Sequence, residues 1–184
     1  MRHRNGIWLA VFVLILCCLP VAASQDRNPG KEGKADLALE VEPGKLVYHD
    51  GEAVELHFIL RNVSQSNLIV ARRLRLMSTI ALEISDSRGK IAQWCGRIAE
   101  QFDSARSYVT LSPGESVQAT LTVSCVGKDD RKHAWGFTLS GPGRYIIRAT
   151  YRLPRPKEYY ESLFPNGRVI RGPILAKPVT IELK

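Results

Sequence analysis

Apolar and polar residues alternate along several short stretches of the chain, and this pattern predicts a protein built from β-strands. The strongest example is residues 143–151, where Tyr145, Ile147, Ala149 and Tyr151 share one phase. Successive side chains of a strand point to opposite faces of a sheet, so these four residues should face a core. A Gly-Pro-Gly turn directly precedes the strand.

Turn signals separate further stretches of the same kind. Residues 53–62 and 117–125 alternate most clearly. Shorter strands are predicted at 37–42, 46–49, 68–71, 79–85, 91–95, 108–111, 135–139 and 179–183. Many short strands with no convincing helix and no internal repeat favour an all-β antiparallel sandwich of about 8 strands, with a barrel as the structural alternative.

Residues 1–23 have the pattern of a signal peptide. A positively charged start precedes an apolar run at 7–19, and small residues at 21–23 fit a cleavage site. The run is shorter than the roughly 20 residues of a membrane-spanning helix, although an uncleaved anchor is the alternative. Cys17 and Cys18 lack the sequence context of a lipid-modified cysteine. We therefore expect a soluble product with no membrane span after cleavage.

The rest of the chain should contain a flexible leader at 24–36 and one domain at 37–184. The leader is polar and charged without periodicity, whereas the domain is long enough for a substantial core. A signal peptide followed by one domain predicts an exported protein, either periplasmic or secreted. Asn62-Val63-Ser64 matches a glycosylation sequon, which is relevant only in a eukaryotic secretory route.

The charge of the chain favours anionic partners. Removing the two arginines of residues 1–23 from the 26 basic residues leaves 24 against 18 acidic residues, a net charge of +6. This excess suggests affinity for anionic envelope polymers or acidic proteins, while an exported protein seldom meets nucleic acid. The alternative is that the positive charge only keeps the protein soluble.

Cys95 and Cys125 are the two cysteines outside the predicted signal peptide, and we expect them to form a disulfide. An even pair in an oxidising compartment is more often bonded than free. Closing a loop of about 30 residues would contribute roughly 3 to 4 kcal/mol in the chain-entropy model. Cys125 points inward by phase, whereas Trp94 competes with Cys95 for the inward position.

Gly143-x-Tyr145 at the start of a late strand has the spacing of a tyrosine corner, a structural feature of immunoglobulin-like sandwiches. In such a corner the tyrosine lies two residues before a core position of its strand. Ile147 occupies that position here, where a cysteine is usual. Tyr145 is therefore predicted to have a structural role.

The sequence also resembles small bacterial sandwich domains of the intracellular proteinase inhibitor (BsuPI-like) type. The matching pieces are Val54-x-Leu56-x-Phe58-x-Leu60-x-Asn62, Leu111-Ser112-Pro113-Gly114-Glu115 and Pro142-Gly143-x-Tyr145. The resemblance implies an immunoglobulin-like antiparallel β-sandwich and, as an activity, proteinase inhibition. This chain departs from that type because it carries a predicted export signal and a cysteine pair.

The sequence contains no recognisable catalytic motif. It has no Gly-x-Ser-x-Gly elbow, no phosphate-binding glycine loop and no His-Glu-x-x-His helix. The four histidines are scattered, and Met77 is the one methionine outside the predicted signal peptide, which argues against a copper site. We expect no enzyme activity, no cofactor and no metal, and a hydrolase has no support from individual residues.

Residues 153–173 are the least regular part of the domain and the best candidate for a binding surface. Long loops in compact domains are often functional, and aromatic and arginine residues dominate interface hot spots. The alternative is a hairpin around Asn166-Gly167 whose aromatic residues only pack on the sandwich edge. The candidate binding residues are Tyr159, Tyr160, Phe164, Arg168 and Arg171.

The sequence therefore predicts a non-catalytic, exported binding module for a protein or an anionic envelope polymer. The alternative is a proteinase inhibitor that presents Arg168 or Arg171 to a trypsin-like pocket. The pattern of residues predicts neither a particular partner nor an oligomeric state.

Overall fold

The computed structural model describes residues 35–96, 104–125, 135–165, 167–170 and 172–184. All of them belong to one compact unit, residues 33–184. The predicted signal peptide and nearly all of the predicted leader lie outside the described residues. Within the described ranges, no helix is long and apolar enough to cross a membrane.

The described chain is mostly β-structure, as the sequence predicts. Its strands are β1 (Leu37–Pro43), β2 (Val47–Tyr48), β3 (Glu55–Asn62), β4 (Leu68–Ala71), β5 (Ile80–Asp86), β6 (Gln93–Cys95), β7 (Tyr108–Leu111), β8 (Ser116–Thr122), β9 (Gly136–Thr138), β10 (Gly143–Tyr151), β11 (Arg168–Val169), β12 (Ile174–Leu175) and β13 (Val179–Leu183). A 3₁₀ turn covers Ala105–Ser107, and helix α1 covers Lys157–Leu163. Eight of these strands have four residues or more, and the other five are shorter.

Two sheets contain the long strands. In the first, β3 lies between β1 and β8, and both pairings are antiparallel. In the second, β10 pairs with β5 on one side and with β12 and β13 on the other. The two-residue strand β2 pairs in parallel with the outer edge of β13. Two small sheets, β11-β4-β7 and β6-β9, complete the described structure.

Both large sheets contribute side chains to one hydrophobic core. Leu56, Phe58 and Leu60 of β3 are fully buried, and they share a cluster with Ile147 of β10 and Ile181 of β13. These residues hold the alternate positions that the sequence pattern assigns to the inward faces. Burial of a large aliphatic side chain contributes about 1.5–3 kcal/mol, so this alternation is the main source of stability.

Tyr145 forms the predicted corner at the start of β10. Its hydroxyl donates a hydrogen bond to the carbonyl oxygen of Gly141, 2.9 Å away, while its ring is buried. Gly141 and Gly143 have positive φ values, 85° and 144°, which favour glycine in the preceding turn. The corner therefore holds the turn against the first residues of the strand.

The predicted disulfide between Cys95 and Cys125 is confirmed, with Cα atoms 6.7 Å apart. It joins β6 to the residues after β8. The N–H of Cys125 also donates to the carbonyl oxygen of Phe137 in β9, 3.0 Å away. Trp94 packs edge-to-face on Phe137, with ring centroids 5.2 Å apart. The bond thus secures the small β6-β9 sheet to the end of β8.

Asn62, the last residue of β3, is fully buried, and both polar atoms of its side chain make hydrogen bonds. Its Nδ2 donates to the carbonyl oxygens of Ser66 and Leu111, each at 2.8 Å. Its Oδ1 accepts from the N–H and the hydroxyl of Ser64. The side chain therefore fixes the 63–67 loop against the end of β7.

The sequence showed no convincing helix, but the structure contains helix α1 in the segment predicted to be irregular. It also contradicts the alternative of a hairpin arm at 168–170. Helix α1 begins after Pro156, whose extended backbone ends the preceding loop. After the helix, β11 pairs in parallel with β4 instead of turning back on the helix segment. A Cβ atom on Gly167 would lie 2.5 Å from Cδ1 of Ile69, so glycine permits this close approach to β4.

Candidate functional site

An open cleft of about 500 Å³ lies beside helix α1, where the chain leaves β10. Arg152, Arg155 and Lys157 line one part of it, and none of the described residues that line it is acidic. The remaining lining residues are Leu153, Tyr160, Val169, Ile170, Gly172 and Pro173. The cleft therefore combines a basic rim with a largely apolar floor.

Backbone hydrogen bonds position the basic rim. The N–H of Arg152 donates to the carbonyl oxygen of Thr79, 2.9 Å away, which ties the end of β10 to the turn before β5. The N–H of Arg155 donates to the hydroxyl of Tyr160 at 2.8 Å. Both arginines thus leave a fixed backbone, and their side chains are exposed.

Tyr160 anchors the helix that forms one wall of the cleft. Its side chain is fully buried in a second apolar cluster with Ile69, Tyr108 and Val169. Its hydroxyl lies 3.4 Å from that of Tyr108, and the two rings pack edge-to-face with centroids 4.8 Å apart. In this conformation Tyr160 presents no surface area to a macromolecular partner, so its role is in packing.

Tyr159 and Phe164 remain half-exposed at the edge of the same cluster. The ring of Tyr159 packs edge-to-face on Tyr160, with centroids 5.3 Å apart, and on Tyr108 at 6.4 Å. Neither Tyr159 nor Phe164 lines the cleft. Of the predicted binding residues that the structure describes, only Tyr160 borders the cleft, and its side chain is buried beneath the cleft surface.

Arg168 lies outside the cleft and makes an ion pair with Asp36. Its Nη2 is 2.6 Å from Oδ2 and its Nη1 is 3.2 Å from Oδ1 of that carboxylate, which is a forked arrangement. Nη1 also lies 3.4 Å from the hydroxyl oxygen of Ser66. A protease pocket would have to displace these partners. Arg171, the other residue predicted for that role, lies outside the described residues.

The electrostatics of the rim favour anions. The Nζ of Lys157 is 2.5 Å from Oε1 of Glu161 one turn further along α1, so its charge is partly compensated. Arg152 makes no ion pair with any residue in the described ranges. The chemistry available to this cleft is the binding of carboxylate or phosphate groups next to an apolar surface. Across the described residues, no group of three His, Cys, Asp or Glu side chains could hold a metal ion.

Arg155 and Lys157 lie within residues 153–173, the segment predicted to bind, whereas Arg152 directly precedes that segment and was missed. Arg152 continues the outward phase of Arg144 and Arg148 in the β10 pattern, so the sequence indicated only that its side chain would be exposed. Its position directly after Tyr151, the last core residue, is the signal that could have placed it at the end of the strand.

No protein-family model and no curated protein sequence matches the chain. Among solved structures, it is similar to the CARDB domain of a Pyrococcus furiosus protein in complex with di-metal ions, at 14% identity and a TM-score of 0.36, over 80% of this chain and 92% of that one. A β-glucosidase from Erythrobacter marinus matches at 16% identity and a TM-score of 0.35, over 80% of this chain and 15% of that one.

A third similar structure is the alkylpurine DNA glycosylase AlkC of Pseudomonas fluorescens, bound to DNA containing an abasic site analogue. It matches at 14% identity and a TM-score of 0.38, over 82% of this chain and 31% of that one.

Proposed function

We propose that the chain is an exported, non-catalytic binding module with an immunoglobulin-like β-sandwich fold, and that its basic cleft binds a segment of an anionic polymer. The observation that carries the proposal is the cleft itself, with Arg152, Arg155 and Lys157 on its rim and no acidic residue among the described residues that line it. These three side chains place positive charge at one site on the domain, where it can compensate the negative charge of an acidic partner.

The shape of the cleft supports a polymer as its ligand. The cleft is open to solvent, and its floor includes Leu153, Val169, Ile170 and Pro173. A chain of acidic sugars could cross such a surface with its charged groups on the rim and its ring carbons on the floor. Arginine side chains suit this role because they donate forked hydrogen bonds to carboxylate, sulfate and phosphate groups.

The disulfide and the tyrosine corner support the remaining parts of the proposal. Disulfides persist in oxidising compartments, and the Cys95–Cys125 bond is compatible with an exported protein. The Tyr145 corner and the β1-β3-β8 and β5-β10-β13 strand orders support an immunoglobulin-like arrangement. The alternative of a proteinase inhibitor has less support, because Arg168 is paired with Asp36.

Calorimetric titration with heparin fragments, which are acidic polysaccharides, tests the proposal, with neutral dextran as the control ligand. We expect heparin but not dextran to bind, with an affinity that falls as salt is added because salt screens exposed charges. Replacing Arg152 and Arg155 together by Gln should weaken binding at least about tenfold, since a hydrogen bond to a charged group contributes about 1.5–3 kcal/mol.

The double variant Arg88→Gln/Lys90→Gln is the matched control, because it removes the same charge from another surface. Both residues are exposed and lie in the turn after β5. Asp86 pairs with Tyr145 at that end of β5, whereas Ile80 pairs with Tyr151 at the cleft end, so the two ends are about 20 Å apart. Equal losses in both double variants would show that only net charge attracts heparin and would reject the cleft.

A further inference from the structure

The outer edge of β8 has no neighbouring strand in the part of the chain that the structure describes. The N–H of Val123 donates to the carbonyl oxygen of Val54, and the N–H of Asn62 donates to that of Glu115. Backbone groups alternate in direction along an antiparallel strand. The odd-numbered residues of β8 therefore bond to β3, and the backbone groups of Ser116, Gln118, Thr120 and Thr122 point away from the sheet.

The core side of β8 is also incompletely covered. Val117, Ala119 and Leu121 have the inward phase, and they pack against the main core, but all three remain half-buried. The corresponding residues of the neighbouring strand, Leu56 and Phe58, are fully buried. A strand added beside β8 would cover the exposed parts of these three aliphatic side chains and satisfy the outward backbone groups.

This edge carries none of the features that commonly prevent strand addition. Natural sheets protect their edges with charged residues, prolines, bulges or very short strands. The other edge of the same sheet, β1, contains Pro43, Glu40 and Glu42. By contrast, β8 has seven residues in regular register with β3, and none of them is charged or a proline. The two edges of the sheet thus differ in their capacity to pair.

We propose that the β8 edge pairs antiparallel with the β8 edge of a second copy of this chain. A two-fold axis beside Ala119 would place Ser116 opposite Thr122 and Gln118 opposite Thr120 of the partner copy. These are the residues whose backbone groups point outward, so the two edges would exchange all their hydrogen bonds. Val117 would lie opposite Leu121, which joins their half-buried side chains, and no like charges would face each other.

The strand is therefore self-complementary in the register that pairs all four of its outward-facing residues, and a shift of two residues would leave some of them unpaired. Shared surface patches related by a two-fold axis are the commonest basis of homodimers. A single pair of short strands buries less than the roughly 1,200 Å² of a standard interface. We accordingly expect a dimer that dissociates in the micromolar range.

Sedimentation of the purified protein over a range of concentrations tests the proposal. The wild-type chain should shift from monomer to dimer, and Gln118→Pro should remain a monomer throughout. Proline at that position removes an outward N–H that pairs with no strand in the described part of the chain, and edge strands tolerate it. Gln118→Thr keeps the N–H and should dimerise like the wild type. A wild-type monomer at every concentration, or a Gln118→Pro dimer, would overturn the proposal.

Cysteine cross-linking tests the register and does not depend on how well the proline variant folds. Ala119→Cys places two thiols beside the two-fold axis at a non-hydrogen-bonded pair, where Cα atoms are about 4.5 Å apart and a disulfide fits. Thr122→Cys, opposite Ser116 of the second copy, should not cross-link. Non-reducing electrophoresis should show a covalent dimer for the first variant alone. Equal cross-linking of both variants would overturn the proposed pairing.

Discussion

The hydroxyl of Tyr145 and the carbonyl oxygen of Gly141 form a 2.9 Å hydrogen bond that closes the turn before the central strand of the second sheet. Burial raises the pKa of the Tyr145 phenol, with a smaller contribution from the charge of Asp86. The ring packs in the core, while the hydroxyl is bound to backbone. One side chain therefore couples the turn to the sheet.

Tyr145→Phe should lower the free energy of unfolding by about 1 kcal/mol, which is the usual net value of one hydrogen bond. Tyr145→Ala should lower it by about 3–5 kcal/mol because it also leaves a cavity. Urea denaturation followed by tryptophan fluorescence measures both values. A Tyr145→Phe variant as stable as the wild type would contradict a contribution of this hydrogen bond to stability.

Tyr160 and Tyr159 are adjacent in α1, but their replacement should have different effects. Tyr160→Ala should destabilise the domain by about 3–5 kcal/mol because that ring is fully buried. Tyr159→Ala should cost about 1 kcal/mol, since its ring is half-exposed and loses mainly edge-to-face contacts. Thermal unfolding by circular dichroism compares them. Similar losses for the two variants would show that Tyr160 does not anchor the helix.

Replacing both Cys95 and Cys125 by Ala should reduce stability by about 3 kcal/mol, because the disulfide closes a loop with a sequence separation of 30 residues. Urea denaturation of the variant, and of the wild type with and without a reducing agent, measures this change. The reduced wild type should resemble the variant. If reduction leaves the unfolding midpoint of the wild type unchanged, the bond makes no contribution to stability.

The domain should lose stability in alkaline solution through Tyr151. Burial raises the pKa of this phenol well above its ordinary value of 10.0. The folded chain therefore retains a proton that the unfolded chain releases, so the stabilisation is complete below pH 10.0 and decreases as the pH rises above it. Unfolding midpoints in urea between about pH 8 and 11 should show this decrease.

Tyr151→Phe separates this effect from general alkaline denaturation. The hydroxyl accepts a hydrogen bond from the buried N–H of Ala71 at 2.9 Å, so its loss should cost about 1–3 kcal/mol at neutral pH. Above pH 10 the variant should nevertheless lose less stability than the wild type. Parallel pH profiles for the two proteins would assign the alkaline effect to other groups.

The strands could be predicted because the alternation of apolar and polar residues that indicates each strand lies within one short stretch of sequence. Residues 53–62 and 143–151 alternate strictly, and every inward residue of β10 is buried as expected. The tyrosine corner and the disulfide could also be predicted from the sequence, since the first depends on a short motif and the second on the number of cysteines. In contrast, alternation assigned Val117 and Leu121 to the interior. It did not show that β8 has no outer neighbour among the described strands and that these two side chains stay half-exposed.

The cleft depends on information that the local pattern does not contain. Helix α1 has seven residues between Pro156 and Phe164, too few for a clear 3.6-residue period, and the nearby prolines favoured a loop. The pairing of β11 with β4 joins residues 100 positions apart along the chain. Arg168 likewise meets Asp36 across a separation of 132 residues. The composition of residues 153–173 showed that this segment is basic and aromatic. It could not distinguish side chains that pack in the interior from those that remain accessible.

The buried amide of Asn62 has a practical consequence for producing this protein. Oligosaccharyl transfer to the Asn-Val-Ser sequon would replace a hydrogen on Nδ2, yet the folded chain uses that nitrogen to hold both Ser66 and Leu111. A glycan attached during synthesis in a yeast or mammalian secretory host would therefore block the closure of β3 against β7. Bacterial expression avoids this modification. In a eukaryotic host Ser64→Ala would prevent it, at the cost of the hydrogen bonds that the Ser64 hydroxyl donates to Asn62 and accepts from the N–H of Ser66.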